Sequence, residues 1–443
     1  GLKGLHPWSA ESPYLYNVTV SQRAADGTEE MAFNTKYGFR TISLTKNPHV
    51  VYVNGQRVFF KGVNTQDTHP EGLANVNTVR TSHYPRQPKM YAMMDALGFY
   101  VMDEADVECH YAWIWGIKKL TTNGNWTAQY VDRNVRMVAR DRNHPCVLVW
   151  SIGNEVLEQW SGADADVLTL EEANLILNAG HDASTLAHGD DLSPNSLLTI
   201  HLADIIKRYD TTRPITAGCN EPSPDNHLFK SGAIDLVGFN YHHQWVKDVP
   251  KNFPGKPFLF TESVSALQTR GYYRMPSDSV LVLPQRWDLP YADPTMMCSA
   301  YDNAHAPWSS THEETWEVVK HTPYCAGQFI WTGWDYIGEP TPYGYPARSS
   351  YFGIIDLAGF PKDIYYMYQS EWTDQPVLHL FPHWNWLPGQ TIDLWCYYNQ
   401  ADEVELFING RSQGVRRKQD DHQYHVMWRV QFEPGEVRVV ARQ

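Results

Sequence analysis

The chain has 443 residues, enough for two or three domains with large cores. Its net charge of −14 argues against nucleic acid or an anionic membrane surface as a partner, because both demand a basic patch. No run reaches the roughly 18 apolar residues of a membrane span, and six scattered cysteines without a C-x-x-C pair exclude a zinc ribbon or a disulfide-dense scaffold.

Residues 1–41 alternate as β-structure: Tyr14 to Val20, a turn near Asp26-Gly27, then Met31 to Arg40. That is too few strands for a closed sandwich, so the segment reads as the tail of one. From 42 to 371 short apolar strands alternate with helical segments. Eight strands are expected: Arg57–Val63, Val76–Thr81, Phe99–Asp103, Cys146–Ile152, Pro214–Cys219, Ile234–Phe239, Pro257–Thr261 and Gly327–Trp331. Helical periodicity is clearest at Gln87–Ala96, Ala128–Arg140, Asn195–Arg208 and Glu313–Lys320. Eight strands alternating with helices imply an α/β fold, a (β/α)8 TIM barrel.

The first crossover, Asn64 to Asn75, is too short to carry a convincing helix. The spacing favours an interruption of the sequence there over a barrel without its first helix, and Ile117–Gly124 raises the same question. Residues 156–194 form a long insertion, of the kind that shapes substrate access or merely decorates the barrel. From 372 to 443 the pattern returns to β, with strands expected at Val377–Leu380, Thr391–Tyr397, Glu403–Ile408 and His425–Val430 and a hairpin signal at Asn409-Gly410. This is a small sandwich.

The chemistry lies in two strand ends. The fourth strand runs into Trp150-Ser151-Ile152-Gly153-Asn154-Glu155, and the seventh ends at Thr261-Glu262. Barrel enzymes place their reacting groups at such C-terminal tips. Two glutamates on facing tips suit glycoside hydrolysis, which needs one proton donor and one nucleophile or base. Either glutamate alone could be an ordinary solvated strand end; the surroundings decide. The other tips carry Arg80 to Pro85, Asp103 to His110, Asn220-Glu221, Asn240 to His243, and Trp331-Thr332-Gly333-Trp334-Asp335-Tyr336. With 17 Trp and 26 Tyr in the chain, about half suit a core and the rest a sugar cleft, where rings stack on apolar sugar faces. His144, His242 and His243 read best as structural hydrogen-bonders. Glu108 and His110 could hold a hard divalent cation with Glu155, but one imidazole with carboxylates is weak evidence, and plain hydrogen bonding is favoured.

Asp141-Arg142-Asn143-His144-Pro145 leading into Trp150 to Glu155 resembles the acid/base motif of glycoside hydrolase family 2, which holds β-galactosidases, β-glucuronidases and β-mannosidases. Asn77 to Pro85 is similar to its strand-2 motif, and Lys61-Gly62-Val63-Asn64 to its strand-1 motif. The resemblance covers essentially the whole chain. It implies the end of an immunoglobulin-like β-sandwich at 1–41, the catalytic barrel at 42–371 and a C-terminal immunoglobulin-like sandwich at 372–443. It makes Glu155 the acid/base and Glu262 the nucleophile of a retaining exo-β-glycosidase. Asn154 would bind the sugar 2-hydroxyl, Arg80 would keep Glu262 ionised, and Tyr241 would hydrogen-bond it. His83 would contact sugar hydroxyls, Trp331 would floor the pocket, and Trp334, Glu108 and His110 would add substrate contacts.

Glu108 and His110 also look like the magnesium pair of the family's lactose-cleaving members. Those members carry Asn-Arg-His where this chain has Asn64-Thr65-Gln66, and a histidine where it has Ser265, so no cofactor is expected to be required and magnesium stays an open alternative. The family's glucuronidases read the substrate carboxylate with an Asn-x-Lys; here Ser350-Tyr351-Phe352 supplies no cation. A neutral sugar is therefore expected, galactose being the commonest, with glucuronate (Arg348 lies close by) or the substrate of another family 2 β-glycosidase as the alternative. A carbohydrate-binding protein on a dead barrel and an endo-acting glucanase are less favoured. The resemblance further suggests a secreted or periplasmic bacterial enzyme acting on oligosaccharides or glycans, with homo-oligomerisation open.

Overall fold

The computed structural model describes residues 3–46, 48–66, 75–109, 126–157, 194–421 and 424–443. The chain opens with an antiparallel hairpin, β1 (Tyr16–Arg23) and β2 (Glu29–Tyr37). Trp8, fully buried, ties the preceding segment to the barrel by donating its indole N–H to the Asp95 carbonyl at 2.9 Å. Three short strands follow: β3 (Ile42–Ser43), β4 (Tyr52–Val53) and β5 (Gln56–Arg57). The β4–β5 turn has positive φ at both Asn54 (51°) and Gly55 (79°), the signature of a tight hairpin. Arg57 therefore belongs to this hairpin, and the first barrel strand begins three residues later than the apolar run suggests.

The barrel strands are β6 (Phe60–Asn64), β7 (Thr78–Arg80), β8 (Tyr100–Glu104), β9 (Val147–Asn154), β10 (Ile215–Gly218), β11 (Val237–Asn240) and β12 (Phe258–Ser263). After a long loop carrying β13 (Leu281–Val282) and β14 (Ala304–His305) comes the eighth, β15 (Cys325–Ile330). Neighbours pair in parallel around the ring, β15 returns to β6, and a parallel bridge between Cys219 and Phe239 joins β10 to β11 and closes it. All eight expected strands are present, displaced by up to three residues at their ends. The helices α1 (Pro88–Leu97), α2 (Thr127–Asp141), α3 (Pro194–Tyr209) and α4 (His312–Lys320) lie where periodicity placed them. A fifth, α5 (Asp363–Trp372), was not expected. It buries Ile364, Met367, Tyr368 and Trp372, but Tyr365 and Tyr366 on its other side blur the apolar stripe. The short first crossover (67–74), Ile117–Gly124 and all but the ends of the 156–194 insertion lie outside the described residues.

The C-terminal unit packs two three-stranded antiparallel sheets. β16 (Leu378–Phe381), β17 (Thr391–Tyr398) and β20 (Val426–Gln431) form one; β18 (Glu403–Ile408), β19 (Arg411–Arg416) and β21 (Val437–Arg442) form the other. Their inner faces share a core of Ile392, Leu394, Val404, Leu406, Val426 and Trp428. The fully buried Asp393 fastens this sandwich to the loop after β12. It accepts from the Ser277 N–H (2.7 Å) and hydroxyl (2.8 Å) and from Arg429 (2.7 Å), while Tyr301 donates to its carbonyl (2.6 Å).

Candidate active site

Parallel strands of a closed barrel bring their C-terminal ends to one mouth, and all eight tips contribute here. The hub is Arg80 at the end of β7, fully buried. Its guanidinium reaches Glu262 (2.8 Å), Glu104 (2.9 Å), Asn64 (2.9 Å) and Asn154 (2.7 Å). Asn154 accepts a second bond from Asn240 (2.9 Å), and the same Asn240 amide donates to the Glu155 carboxylate at 2.6 Å. Thr261 fixes Asn240 by donating to its carbonyl oxygen at 2.6 Å. One continuous buried chain, Glu262–Arg80–Asn154–Asn240–Glu155, thus links the two strand-tip carboxylates.

Backbone geometry aims these groups. Glu155 leaves β9 at φ 47° and donates its N–H to the Gly218 carbonyl at 3.0 Å. Tyr241 and His242 after β11, and Val264 and Ser265 after β12, are likewise left-handed. Non-glycine residues hold such conformations at a cost of about 1–3 kcal/mol each, and they cluster where a site requires them. Gly218, at the tip of β10, makes room for the chain. A Cβ there would stand 2.3 Å from the Asn154 carbonyl oxygen and 2.8 Å from the Arg80 guanidinium.

His83 donates or accepts at Glu104 (2.8 Å), lies 3.6 Å from Glu262 and stacks on Trp331 with ring centroids 5.2 Å apart. Trp331 in turn donates its indole N–H to the Tyr336 hydroxyl at 3.1 Å. Glu108 accepts from the Asn154 amide at 2.5 Å. Tyr241 differs from expectation in its visible bonds: its backbone N–H meets the Glu262 carbonyl (2.7 Å), and its hydroxyl accepts from Ser265 (2.9 Å). Ser265, flagged as a departure from the family, is what steadies that phenol. Trp334 packs on the barrel core rather than with the cluster of Tyr241, Trp331 and Phe352. His110 lies outside the described residues. His144, His242 and His243 bond to Asp95 (2.6 Å), Asn220 (2.7 Å) and Glu314 (2.9 Å), as structural histidines do.

Four carboxylates (Glu104, Glu108, Glu155, Glu262) gather around the Arg80 network, so at least one group must adjust its proton. Burial is the largest influence on Glu262 and raises its carboxyl to about 7; Arg80 and His83 oppose the rise, and the Glu155 charge adds to it. Glu104 goes the other way: burial pushes it up, but Arg80, His83 and Ser151 outweigh burial and hold it below the usual range. Burial lowers the His83 imidazole, yet Glu104, Glu108 and Glu262 together raise it. Glu104 and Asn240 were not singled out in the sequence, although both occupy strand tips there. Their signal was position alone.

Two other features bear on ligands. Among the described residues no three His, Cys, Asp or Glu side chains converge to hold a metal ion, and Glu108 spends an oxygen on Asn154. A cavity of about 600 Å³ lies between α4 and the sandwich, lined by Asp302, Glu313, Trp395 and His425, and holds none of the strand-tip network.

The model of the TIM barrel domain of glycosyl hydrolases family 2 matches residues 71–340, and a second model of the same family matches 2–40. The chain belongs to glycosyl hydrolases family 2. A domain of unknown function matches 389–443. The chain is 53% identical to the β-galactosidase BoGH2A of Bacteroides ovatus over 98% of its own length and 52% of that protein's. It superposes on a β-glycosidase from Bacteroides vulgatus with a TM-score of 0.74 and 26% identity, covering 98% of this chain and 54% of that one. A Bacteroides uniformis β-glucuronidase shares the fold at a TM-score of 0.69 and 20% identity, over 98% of this chain and 51% of that one. The chain thus spans about half the length of these relatives. None of the six cysteines forms a disulfide, and no helix among the described residues is long and apolar enough to cross a membrane.

Proposed function

We propose that this chain carries the catalytic centre of a retaining exo-β-galactosidase. The observation that supports it most is the Arg80 bridge. It sets one buried carboxylate, Glu262, against a cation, while Asn240, itself bonded to Asn154, holds Glu155 on another tip. Glu262 would attack the anomeric carbon as Glu155 gives its proton to the leaving oxygen. Glu155 would then take a proton from water, whose oxygen displaces Glu262 and releases the sugar. Asn154 and Glu108 would bind hydroxyls beside the anomeric centre; Trp331 with His83 would floor the pocket. No step needs a cofactor. A magnesium requirement would show as activity lost to EDTA and regained with the cation.

The neutral sugar is supported by the segment after β15. The Ser350 hydroxyl donates toward Asp335 (3.4 Å), the Tyr351 hydroxyl donates to the Met296 carbonyl (2.8 Å), and Phe352 is buried beside Tyr241 and Trp331. The buried Lys362 is committed to Asp335 (2.8 Å) and to the carbonyls of Gln268 (2.7 Å) and Tyr351 (3.1 Å). Arg348 is exposed and lies over the Tyr345 ring. The Ser350-Tyr351-Phe352 segment itself offers no cation to a uronate, Lys362 is already paired, and Arg348 is the nearby cation that keeps glucuronate as the alternative. The B. ovatus β-galactosidase supports the same choice. The proposal extends to a secreted or periplasmic enzyme acting on a glycan, read by fractionation, and leaves homo-oligomerisation to light scattering. A panel of nitrophenyl β-galactoside, β-glucuronide, β-mannoside and β-fucoside tests the sugar. Preference for the galactoside is expected; a preferred glucuronide would overturn the reading.

A further inference from the structure

Arg80 does more than face Glu262: it decides how two buried amides are turned. A guanidinium has donors and no acceptor, so the Asn154 atom that meets it at 2.7 Å is the carbonyl oxygen. The Asn154 NH2 is thereby turned to the Glu108 carboxylate, which accepts from it at 2.5 Å. The same Asn154 oxygen lies 2.9 Å from Asn240, so the group that Asn240 presents there is its NH2. Thr261 locks the far side of Asn240 by donating to its carbonyl oxygen at 2.6 Å. The second hydrogen of that NH2 goes to Oε1 of Glu155, 2.6 Å away. Asn154, Asn240 and Thr261 are fully buried, and neither amide can turn over without setting donor against donor or acceptor against acceptor. In a protonated carboxyl the carbonyl oxygen is the better acceptor and the hydroxyl oxygen the poorer one. An N–H fixed on Oε1 therefore directs the proton of Glu155 to Oε2.

We propose that Asn240 is a positioning residue that keeps the proton off Oε1 of Glu155 and makes Oε2 the atom that gives and takes it, its own orientation being set by Arg80 through Asn154. This rests on the galactosidase reading and deepens it. In the first step the bond from the anomeric carbon to the leaving oxygen breaks, the bond to Glu262 forms, and the Oε2 proton passes to the leaving oxygen with its electron pair. In the second, the oxygen of water displaces Glu262 from the anomeric carbon and a water proton returns to Oε2. Asn240 acts in both steps through Glu155 alone. One row of hydrogen bonds thus sets the charge beside the nucleophile and the place of the proton on the other carboxyl.

Two galactosides with the same sugar separate this role from packing: 2,4-dinitrophenyl β-galactoside, whose leaving group needs no proton, and methyl β-galactoside, whose leaving group does. Both are measured in wild type, Asn240→Leu and Thr261→Val. General acid catalysis contributes roughly 100- to 10,000-fold, so Asn240→Leu is expected to raise the dinitrophenyl-to-methyl ratio of kcat/KM by about tenfold or more. On the dinitrophenyl substrate kcat and KM should fall together, because the second step needs the base, and azide, which needs none, should restore kcat. Thr261→Val keeps both donors of Asn240 but loosens the amide, and should lie between. Changes in sugar binding act on both substrates alike and cancel in the ratio. An unchanged ratio in Asn240→Leu would overturn the inference while leaving the galactosidase reading intact. A wild type that hydrolyses neither galactoside would overturn both.

Discussion

Gly218 is neither acid, base nor ligand, yet the structure makes it the most exacting position in the site. A methyl group added there would stand 2.3 Å from the Asn154 carbonyl oxygen, which accepts from Arg80 at 2.7 Å and from Asn240 at 2.9 Å. Those atoms cannot retreat without breaking at least one bond, because Arg80 is also tied to Glu104 and Glu262, and Asn240 to Glu155 and Thr261. Losing the charge-assisted Arg80–Asn154 bond removes about 1.5–3 kcal/mol, and the neutral one about 1 kcal/mol. If half to all of that is expressed in the transition state, Gly218→Ala lowers kcat/KM by roughly 10–1,000-fold at about 1.4 kcal/mol per factor of ten. Overpacking should also lower stability by about 1–3 kcal/mol. The assay is steady-state kinetics on nitrophenyl β-galactoside beside thermal unfolding. A folded Gly218→Ala variant within threefold of wild type would refute the reasoning, since it would show that the buried network can shift without consequence.

Glu155→Ala should spare glycosylation by substrates with good leaving groups and stop it for alkyl glycosides; equal loss on both would count against its acid role. Burial raises Glu262 to about 7, and it must be ionised to attack, so kcat/KM should climb with pH along an acid limb near 7. An acid limb below pH 5 would contradict that. The same rise has a stability sign. The folded state favours protonated Glu262, so its contribution is full below about 4.5 and is lost as pH rises through about 7, a loss of up to about 3 kcal/mol. Glu262→Gln should flatten that stretch of the stability profile, as denaturant melts at pH 4 and pH 8 would show.

Much of the barrel was legible because its signals are local. A buried parallel strand is a short apolar run, and its end is marked by the first polar residue, which is why Asn154, Glu155 and Glu262 stood out. The sandwich was half legible: β17 and β18 are apolar on one face, whereas Arg411–Arg416 and Val437–Arg442 are edge strands rich in charge and carry little pattern. Sequence could not show which tips converge. Glu104 as a counter-charge to Arg80, 24 residues away, Asn240 as the donor to Glu155, 85 residues away, and Gly218 as the space between them all depend on neighbours distant in sequence. Tyr241 illustrates the limit at one atom: its strand tip was right, but its visible hydroxyl partner is Ser265.

The central claim is that Glu262 forms the bond to the sugar. Glu262→Ala removes the nucleophile and leaves Arg80, His83 and Glu155 in place. Turnover of nitrophenyl β-galactoside should fall to background, and added azide should restore it by entering the vacated space and attacking from the same face. The predicted product, read by NMR, is the galactosyl azide of inverted configuration. Full activity without azide, or an azide product of retained configuration, would contradict the account.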